Sequence, residues 1–214
     1  MALSKLAANS FDLTDNYAFT GTTTGATSTQ KIFLIKNIDA SSSGTVSFVN
    51  GASSVVLDNT YKTYLFKFIN IHLETNDRHF TFNGSTDGGS NYNVTKTSTV
   101  FEARHNESGS SNTLEYATGS DLAQSTAYQK LMDGLGNEND KSGVGELWLF
   151  NPSSTTYVKH FMSNTNIVNK DSTPFSRELF IGGYFNTTSA INAINFSTSG
   201  GNIDSGRIAL YGIK

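Results

Sequence analysis

The chain has 214 residues, of which 36% are hydrophobic, 12% are aromatic and only 15% are charged, against a usual charged share of about 25%. The aromatic content argues against a disordered chain, and a net charge of −3 without clustered Lys and Arg argues against a nucleic-acid-binding protein. The sequence has no cysteine, which excludes disulfides and thiolate metal sites, and it has no apolar run long enough to predict membrane insertion.

Residues 1–30 differ in composition from the rest of the chain. Residues 1–20 carry scattered apolar side chains, whereas residues 21–30, GTTTGATSTQ, hold no large apolar residue and are typical of a linker. We predict an extended N-terminal arm and linker over 1–30, with an additional edge strand of the main domain as the alternative. The first residues lack the apolar core of a secretory signal peptide, which favours synthesis in a cytoplasm.

From residue 31 onward, short apolar runs alternate with turn residues. In TYLFKFINIHL, the side chains of Tyr64, Phe66 and Phe68 recur at every second position, the period of a β-strand with one buried face. Such runs predict an all-β fold, an antiparallel, jelly-roll-like β-sandwich over residues 31–214. There are eleven of them: 31–38, 44–51, 54–58, 63–73, 78–84, 98–104, 144–151, 157–163, 178–186, 192–199 and 206–213.

One segment has a different period. In residues 120–137 the apolar side chains recur at intervals of about four residues, and Gly134 or Gly136 could end a helix. We therefore predict one short helix near 121–132, on the spacing of Leu122, Ala123, Ala127, Leu131 and Met132.

The sequence Asp87-Gly88-Gly89 carries the clearest turn signal. Glycine adopts positive φ without strain, and tight hairpins need such φ values. We predict a hairpin here. The alternative is a ligand loop, with Asn91 and Tyr92 beside it.

Residues 146–152 combine a strand end with a proline. Trp148 alternates with Phe150, which predicts that both aromatic side chains share a buried face and belong to the core. Asn151 precedes Pro152, and a residue before proline is expected to be extended.

The end of the chain, GRIALYGIK, predicts a last strand that begins at Gly206. Ile208 and Leu210 would lie on one face of it and Tyr211 on the other, with Gly212 near its end.

Motifs of catalysis are missing from the sequence. It has no G-x-S-x-G nucleophile elbow, no phosphate-binding glycine loop and no H-E-x-x-H zinc motif. His72 and Glu74 could share one side of a strand, but a solvated strand end explains them better than a metal site. We therefore predict no enzyme, no catalytic residue, no cofactor and no metal.

Three segments resemble a group of structural proteins from marine phages and prophages. They are YLFKFINI…RHFTFNGSTDGGSNY at 64–92, GELWLFNPSSTTYVKHFMS at 145–163 and INAINFSTSGGNIDSGRIALYGIK at 191–214, and FDLTDNYAFTGTTTG at 11–25 is similar to segments that join anchor and head in fibre-like proteins. The resemblance implies a β-sandwich on a phage particle, either on the tail fibre or decorating the head. It implies no catalytic residue.

These observations predict a non-enzymatic virion structural protein, made in the host cytoplasm and located on the particle surface. It would be a short tail fibre or knob, or a head decoration protein, attached to other virion proteins through its N-terminal arm. Analogy with fibre and decoration proteins predicts a homo-oligomer, specifically a trimer.

Two other functions remain open on the sequence. The first is a receptor- or glycan-binding adhesin, in which Tyr92, Asn91, Tyr116 and Tyr128 would stack on and hydrogen-bond a host cell-surface sugar. The second is a polysaccharide depolymerase, which would need a pair of carboxylates about 5 to 9 Å apart.

Overall fold

The computed structural model describes residues 31–214, so the predicted arm and linker, residues 1–30, lie outside the described part. Within 31–214 the chain forms thirteen β-strands and no helix. They are β1 (Ile32–Ser43), β2 (Thr45–Val49), β3 (Thr63–Leu73), β4 (Arg78–Ser85), β5 (Lys96–Asn106), β6 (Asn112–Tyr116), β7 (Leu122–Ser125), β8 (Gln129–Leu135), β9 (Gly143–Phe150), β10 (Lys159–Val168), β11 (Phe175–Phe185), β12 (Ala193–Thr198) and β13 (Ile203–Ile213).

The strands form two antiparallel sheets. The long sheet has nine strands in the order β1-β13-β3-β9-β10-β11-β5-β6, with β7 also paired to β5, and the short sheet has four in the order β2-β12-β4-β8. The four strands β1-β13-β3-β9 and the four strands β2-β12-β4-β8 together have the strand order of a jelly roll, which consists of two Greek keys. The predicted jelly-roll-like sandwich is therefore confirmed. The inserted strands β5–β7, β10 and β11 lengthen one of its sheets.

Aromatic side chains join the two sheets. Tyr64, Phe66 and Phe68 of β3 are at most 2% exposed, as the alternation predicts. Phe196 of β12 packs against Phe66 and Phe68 across the sandwich, with ring centroids 5.2 and 5.3 Å apart. Burial of these faces is the main stabilising force, since the chain has no cysteine for a disulfide.

The predicted helix near 121–132 is wrong. Residues 122–125 lie in β7 and residues 129–132 in β8, with 126–128 as the connection between them, and Ala123 and Ala127 are exposed. In β8 the register with β4 shifts between Phe80↔Met132 and Thr81↔Lys130, which marks a β-bulge. A bulge lets Leu131 and Met132 both face inward, and two adjacent buried residues imitate the spacing of a helix.

The other strand predictions are largely confirmed. Ten of the eleven predicted runs contain a strand, and β3 has the predicted bounds. The run 54–58 does not, because Val55 and Leu57 are buried in the connection between β2 and β3 without joining a sheet. Strand β6 was not predicted, because its five residues, NTLEY, are mostly exposed and hold no run of apolar side chains.

The last strand is confirmed, although β13 begins at Ile203, ahead of Gly206. Ile208 and Leu210 are fully buried, while Tyr211 on the opposite face is half-buried. Gly206 has a φ of +120°, and a Cβ there would lie 2.6 Å from the carbonyl oxygen of Asn70, so a side chain is excluded. At Gly212 a Cβ would collide with the ring of Tyr61.

Residues 31–214 contain no helix long and apolar enough to cross a membrane.

Candidate functional site

The outer face of the long sheet carries a row of apolar side chains. On β5, β9, β10 and β11, the inward residues are Val100, Leu147, Phe161 and Leu179, all fully buried. The alternate positions point outward, because successive side chains in a strand lie on opposite faces. These outward residues include Phe101, Trp148, Met162 and Phe180.

Cross-strand pairing brings these residues together. Met162 is opposite Trp148 on β9 and opposite Gly182 on β11, and Phe180 is opposite Phe101 on β5. The Phe101 and Phe180 rings stack at a centroid distance of 4.7 Å. Gly182, between Met162 and Thr99, places no side chain in this row. The result is a cleft of about 350 Å³, here called the aromatic cleft, lined by Thr99, Phe101, Glu146, Trp148, Met162, Ser163, Asn164, Phe180, Ile181 and Gly182.

The backbone does not require a glycine at 182. Gly182 has no positive φ, and a Cβ there would make only an ordinary contact, 3.8 Å from Thr99 Oγ1. The missing side chain therefore opens the cleft without relieving a clash. Met162 remains 57% exposed and Phe101 47% exposed, which is unusual for large apolar side chains.

Polar atoms border the apolar floor of the cleft. Glu146 accepts hydrogen bonds from Lys67 Nζ at 2.6 Å and from Trp148 Nε1 at 2.8 Å. Burial raises the pKa of Glu146, but these two hydrogen bonds and the Lys67 charge outweigh it and hold the pKa below its usual value. The carboxylate thus orients the indole ring. No hydrogen bond ties the side-chain amide of Asn164 to any residue of 31–214.

The prediction that Trp148 and Phe150 belong to the core is wrong. Leu147 and Leu149 occupy the buried face of β9, and Trp148 lies half-buried on the outer face. The alternation itself was correct, but both faces of this strand carry large apolar residues. Two leucines between Glu146 and Phe150 were the signal that could have reversed the assignment.

The predicted extended conformation of Asn151 is also wrong. Asn151 has a φ of +46°, in the left-handed region that asparagine tolerates better than most residues. Its N–H donates to the carbonyl oxygen of Lys62 at 2.6 Å, and Ser154 N donates back to Asn151 at 3.0 Å. The carbonyl oxygen of Pro152 accepts from Ile191 N at 2.8 Å. This turn anchors the end of β9, where Trp148 lies.

The four residues predicted to bind a ligand do not form one site. Tyr116 pairs with Phe101 on the outer face beside the aromatic cleft, is 51% exposed, and donates to Asp121 at 2.8 Å. Tyr128 donates its hydroxyl to Asn195 at 2.9 Å. Asn91 donates to Asp87 from its backbone and its side chain, and Tyr92 lies against Gly89 in the same loop. Asn91, Tyr92 and Tyr128 do not line the cleft.

The loop of Asp87, Gly88 and Gly89 has the predicted positive φ values, +73° and +87° at the glycines. The predicted hairpin is wrong, because β4 belongs to the short sheet and β5 to the long sheet. Hydrogen bonds from Ser85 and Asn91 lower the pKa of Asp87 to about 2. Asp87 therefore acts as a charged acceptor that shapes a crossing between sheets.

A cluster of charged side chains lies inside the sandwich, under the inserted strands. Arg177 donates to Glu102 at 2.8 Å and to the carbonyl oxygen of Asp133 at 2.7 Å. The carboxylate of Asp133 also lies 2.7 Å from His79 Nδ1 and 3.2 Å from Lys130 Nζ. Burial raises the pKa of Asp133, but the hydrogen bond from His79 and the charges of Arg177 and Lys130 lower it well below its usual range. This ion cluster links β4 and β8 to β5 and β11.

Lys96 is buried in the same layer, and no acidic side chain of the described part of the chain pairs with it. Its Nζ donates to Asn83 Oδ1 at 2.7 Å and to the carbonyl oxygen of Val94 at 3.0 Å. Burial lowers the pKa of Lys96 to about 7. Among residues 31–214, no group of three or more His, Asp or Glu side chains is arranged to hold a metal ion.

Sequence reasoning missed most of the cleft. Met162, Phe180, Gly182 and Asn164 come from β10 and β11, and only their pairing brings them beside Trp148. A comparison with protein-family models, with curated proteins and with solved structures finds no significant match to this chain. The resemblance to phage structural proteins therefore stays a prediction, and the function has to be argued from the fold and the aromatic cleft.

Proposed function

We propose that this chain is a non-enzymatic structural protein on the surface of a bacteriophage particle. The observation that carries the proposal is the jelly-roll strand order of β1-β13-β3-β9 over β2-β12-β4-β8. This architecture recurs in viral capsid domains and in lectins, two classes that work by binding and not by bond cleavage. Fold alone does not determine function, so the location on a particle needs a direct test.

Labelled particles provide that test. Purified particles of the phage that encodes the chain are incubated with antibodies against residues 31–214 and imaged by electron microscopy. We expect label at one location, either the head or the tail, and the location distinguishes a decoration protein from a short fibre. Particles that contain the chain neither by imaging nor by mass spectrometry would refute the proposal.

The proposed homo-oligomer, a trimer, is supported by the edge of the long sheet. Within residues 31–214, strand β6 pairs only with β5, and Leu114 and Tyr116 on it are 73% and 51% exposed. An edge strand with apolar side chains is a surface on which another copy can pack. Light scattering at micromolar concentration should give a multiple of the 23.1 kDa chain mass, and Leu114→Glu should reduce it.

Receptor binding through a glycan is the second candidate function. The aromatic cleft favours it, since the exposed Met162 and Phe101 and the half-buried Trp148 form an apolar surface of the kind that marks a binding site. An adhesin should bind host cells as a purified protein, whereas a decoration protein should bind heads that lack it. The two assays therefore separate the candidates.

A further inference from the structure

We infer that the aromatic cleft between Trp148, Met162 and Phe180 binds the ring of a neutral sugar. The inference deepens the second candidate function, receptor binding, and rests on it.

The floor of the cleft matches the apolar face of a pyranose. One face of many sugar rings presents mainly C–H groups, which pack on aromatic faces, while the hydroxyls point outward around the ring edge. Trp148 and the stacked pair of Phe101 and Phe180 offer aromatic surface on two sides of Gly182. Large aromatic groups with polar neighbours are suited to a ligand of this mixed character.

The border of the cleft supplies hydrogen-bond partners for hydroxyls. Asn164 offers an amide that no residue of 31–214 engages, and it is opposite Glu146 on β9 and Phe180 on β11. Thr99 is exposed on β5, on the side of the cleft opposite Trp148. Its hydroxyl donates a long hydrogen bond of 3.4 Å to the carbonyl oxygen of Gly182 and can still accept one from a sugar hydroxyl. A few polar groups around an apolar floor are typical of small-molecule sites.

The charge of the cleft argues for a neutral ligand. Glu146 is the one charged residue among the described residues that line it, and Lys67 neutralises that charge at 2.6 Å. Among the described residues that line the cleft, no arginine or lysine is left to pair with the carboxylate of an acidic sugar. Glu178, on the neighbouring part of the same face, adds negative charge that would repel one.

The size of the cleft limits the ligand. A volume of about 350 Å³ is near the lower end of the range for small-molecule sites, about 300 to 1,000 Å³. One or two sugar rings would fill it. A longer chain would have to extend along the open face.

The experiment uses the single tryptophan of the chain as its reporter. Under excitation selective for tryptophan, a change in emission on titration reports the surroundings of Trp148, since it is the only tryptophan and the nine tyrosines are not excited. The full chain is titrated with glucose, galactose, mannose and N-acetylglucosamine, and in parallel with glucuronate and N-acetylneuraminate. We expect a saturable change with at least one neutral sugar and none with the acidic ones.

Two variants test the location. Gly182→Leu fills the cleft and keeps the reporter, and it should abolish saturation. Asn164→Ala removes the amide with little effect on packing and should weaken binding about tenfold, or roughly 1.4 kcal/mol. Tyr157→Ala is the matched control, because Tyr157 is a 70% exposed aromatic residue outside the cleft, and it should bind as the wild type does.

The results of the sugar titration can be told apart from those of the particle-labelling experiment. No response to any neutral sugar, a preference for an acidic sugar, or unchanged binding by both Gly182→Leu and Asn164→Ala would each overturn the inference. Thermal unfolding of each variant checks that it is folded. Particle labelling does not depend on the cleft, so the virion proposal would survive a negative titration.

Discussion

The interior of the sandwich has two regions that are stabilised by different forces. Between β1-β13-β3-β9 and the short sheet, aromatic rings interdigitate, and Phe196 contacts Phe48, Phe66, Phe68, Phe80 and Phe82. On the inserted strands β5, β10 and β11, about half of the buried residues are polar, including Glu102, Lys96, Lys159, Ser98 and Thr165. The first region depends on apolar burial and the second on pairing every buried polar group.

The difference between these two regions shows what happens when one sheet of a β-sandwich is extended beyond the other. The short sheet has only four strands, so the strands inserted into the long sheet find incomplete apolar cover. Polar side chains from β8 fill the gap. Gln129 accepts from Ser98 at 2.6 Å, and Asp133 meets Arg177 at 3.0 Å. A buried polar group is tolerated only when it has hydrogen-bond partners, so the stability of this layer depends on hydrogen bonds with the correct distances and directions.

Loss of a ring from the aromatic region should have the largest effect. Phe196→Ala is expected to reduce the free energy of unfolding by about 3 to 5 kcal/mol, because it removes a fully buried ring and leaves a cavity. Urea denaturation measures the change. Tyr157→Ala, at a position 70% exposed, should shift stability by less than about 0.5 kcal/mol. Equal effects of the two variants would contradict the core assignment.

Breaking the ion cluster should lower the free energy of unfolding nearly as much as loss of the Phe196 ring. In Arg177→Met, the carboxyl group of Glu102, whose side chain is 3% exposed, loses its closest partner, and the free energy of unfolding is expected to fall by about 3 to 5 kcal/mol. Replacing both residues, Glu102→Met with Arg177→Met, should reduce stability less than the single change, since Glu102 is no longer left without its partner and Asp133 still has Lys130 at 3.2 Å. A double variant less stable than Arg177→Met would show that the pair itself stabilises the fold.

Removing a hydrogen bond between uncharged groups in the polar layer should lower the free energy of unfolding by less. Ser98 Oγ donates to Gln129 and accepts from Leu122 N at 3.0 Å, so it ties both β7 and β8 to β5. Ser98→Ala should cost about 1 to 3 kcal/mol by leaving these groups unsatisfied. Amide hydrogen exchange should show faster exchange at Leu122 than in the wild type. If exchange in β7 is unchanged, the bond does not anchor that strand.

The effect of Lys96 on stability should change with pH. The pKa of Lys96 is lowered by burial from 10.5 to about 7, so between these values the unfolded chain binds a proton that the folded chain does not. Wild-type stability therefore rises with pH across this window, relative to a variant without the amine. We expect Lys96→Met to exceed the wild type at pH 6 and to lose that advantage by pH 10. A constant difference across the range would contradict the lowered pKa.

Prediction from sequence succeeded where burial follows a simple period. Tyr64, Phe66 and Phe68 lie on one buried face of β3 because a strand exposes alternate residues to the core. It failed at Leu131 and Met132, where a bulge breaks the period, and at Trp148, where both faces of β9 are apolar. The predicted binding residues were three tyrosines and an asparagine, chosen for their side chains alone, and apart from Tyr116 they lie away from the cleft.

The sequence by itself determined the class of fold. Its alternating apolar runs and turn residues are compatible only with strands that bury one face against another sheet, because burial of apolar area dominates stability. Tertiary structure alone decided that β5, β10 and β11 would extend one sheet beyond the other. That pairing depends on contacts between residues distant in the chain, which no local pattern encodes. The same pairing placed the ion cluster inside and the aromatic cleft, with Trp148, on the outside.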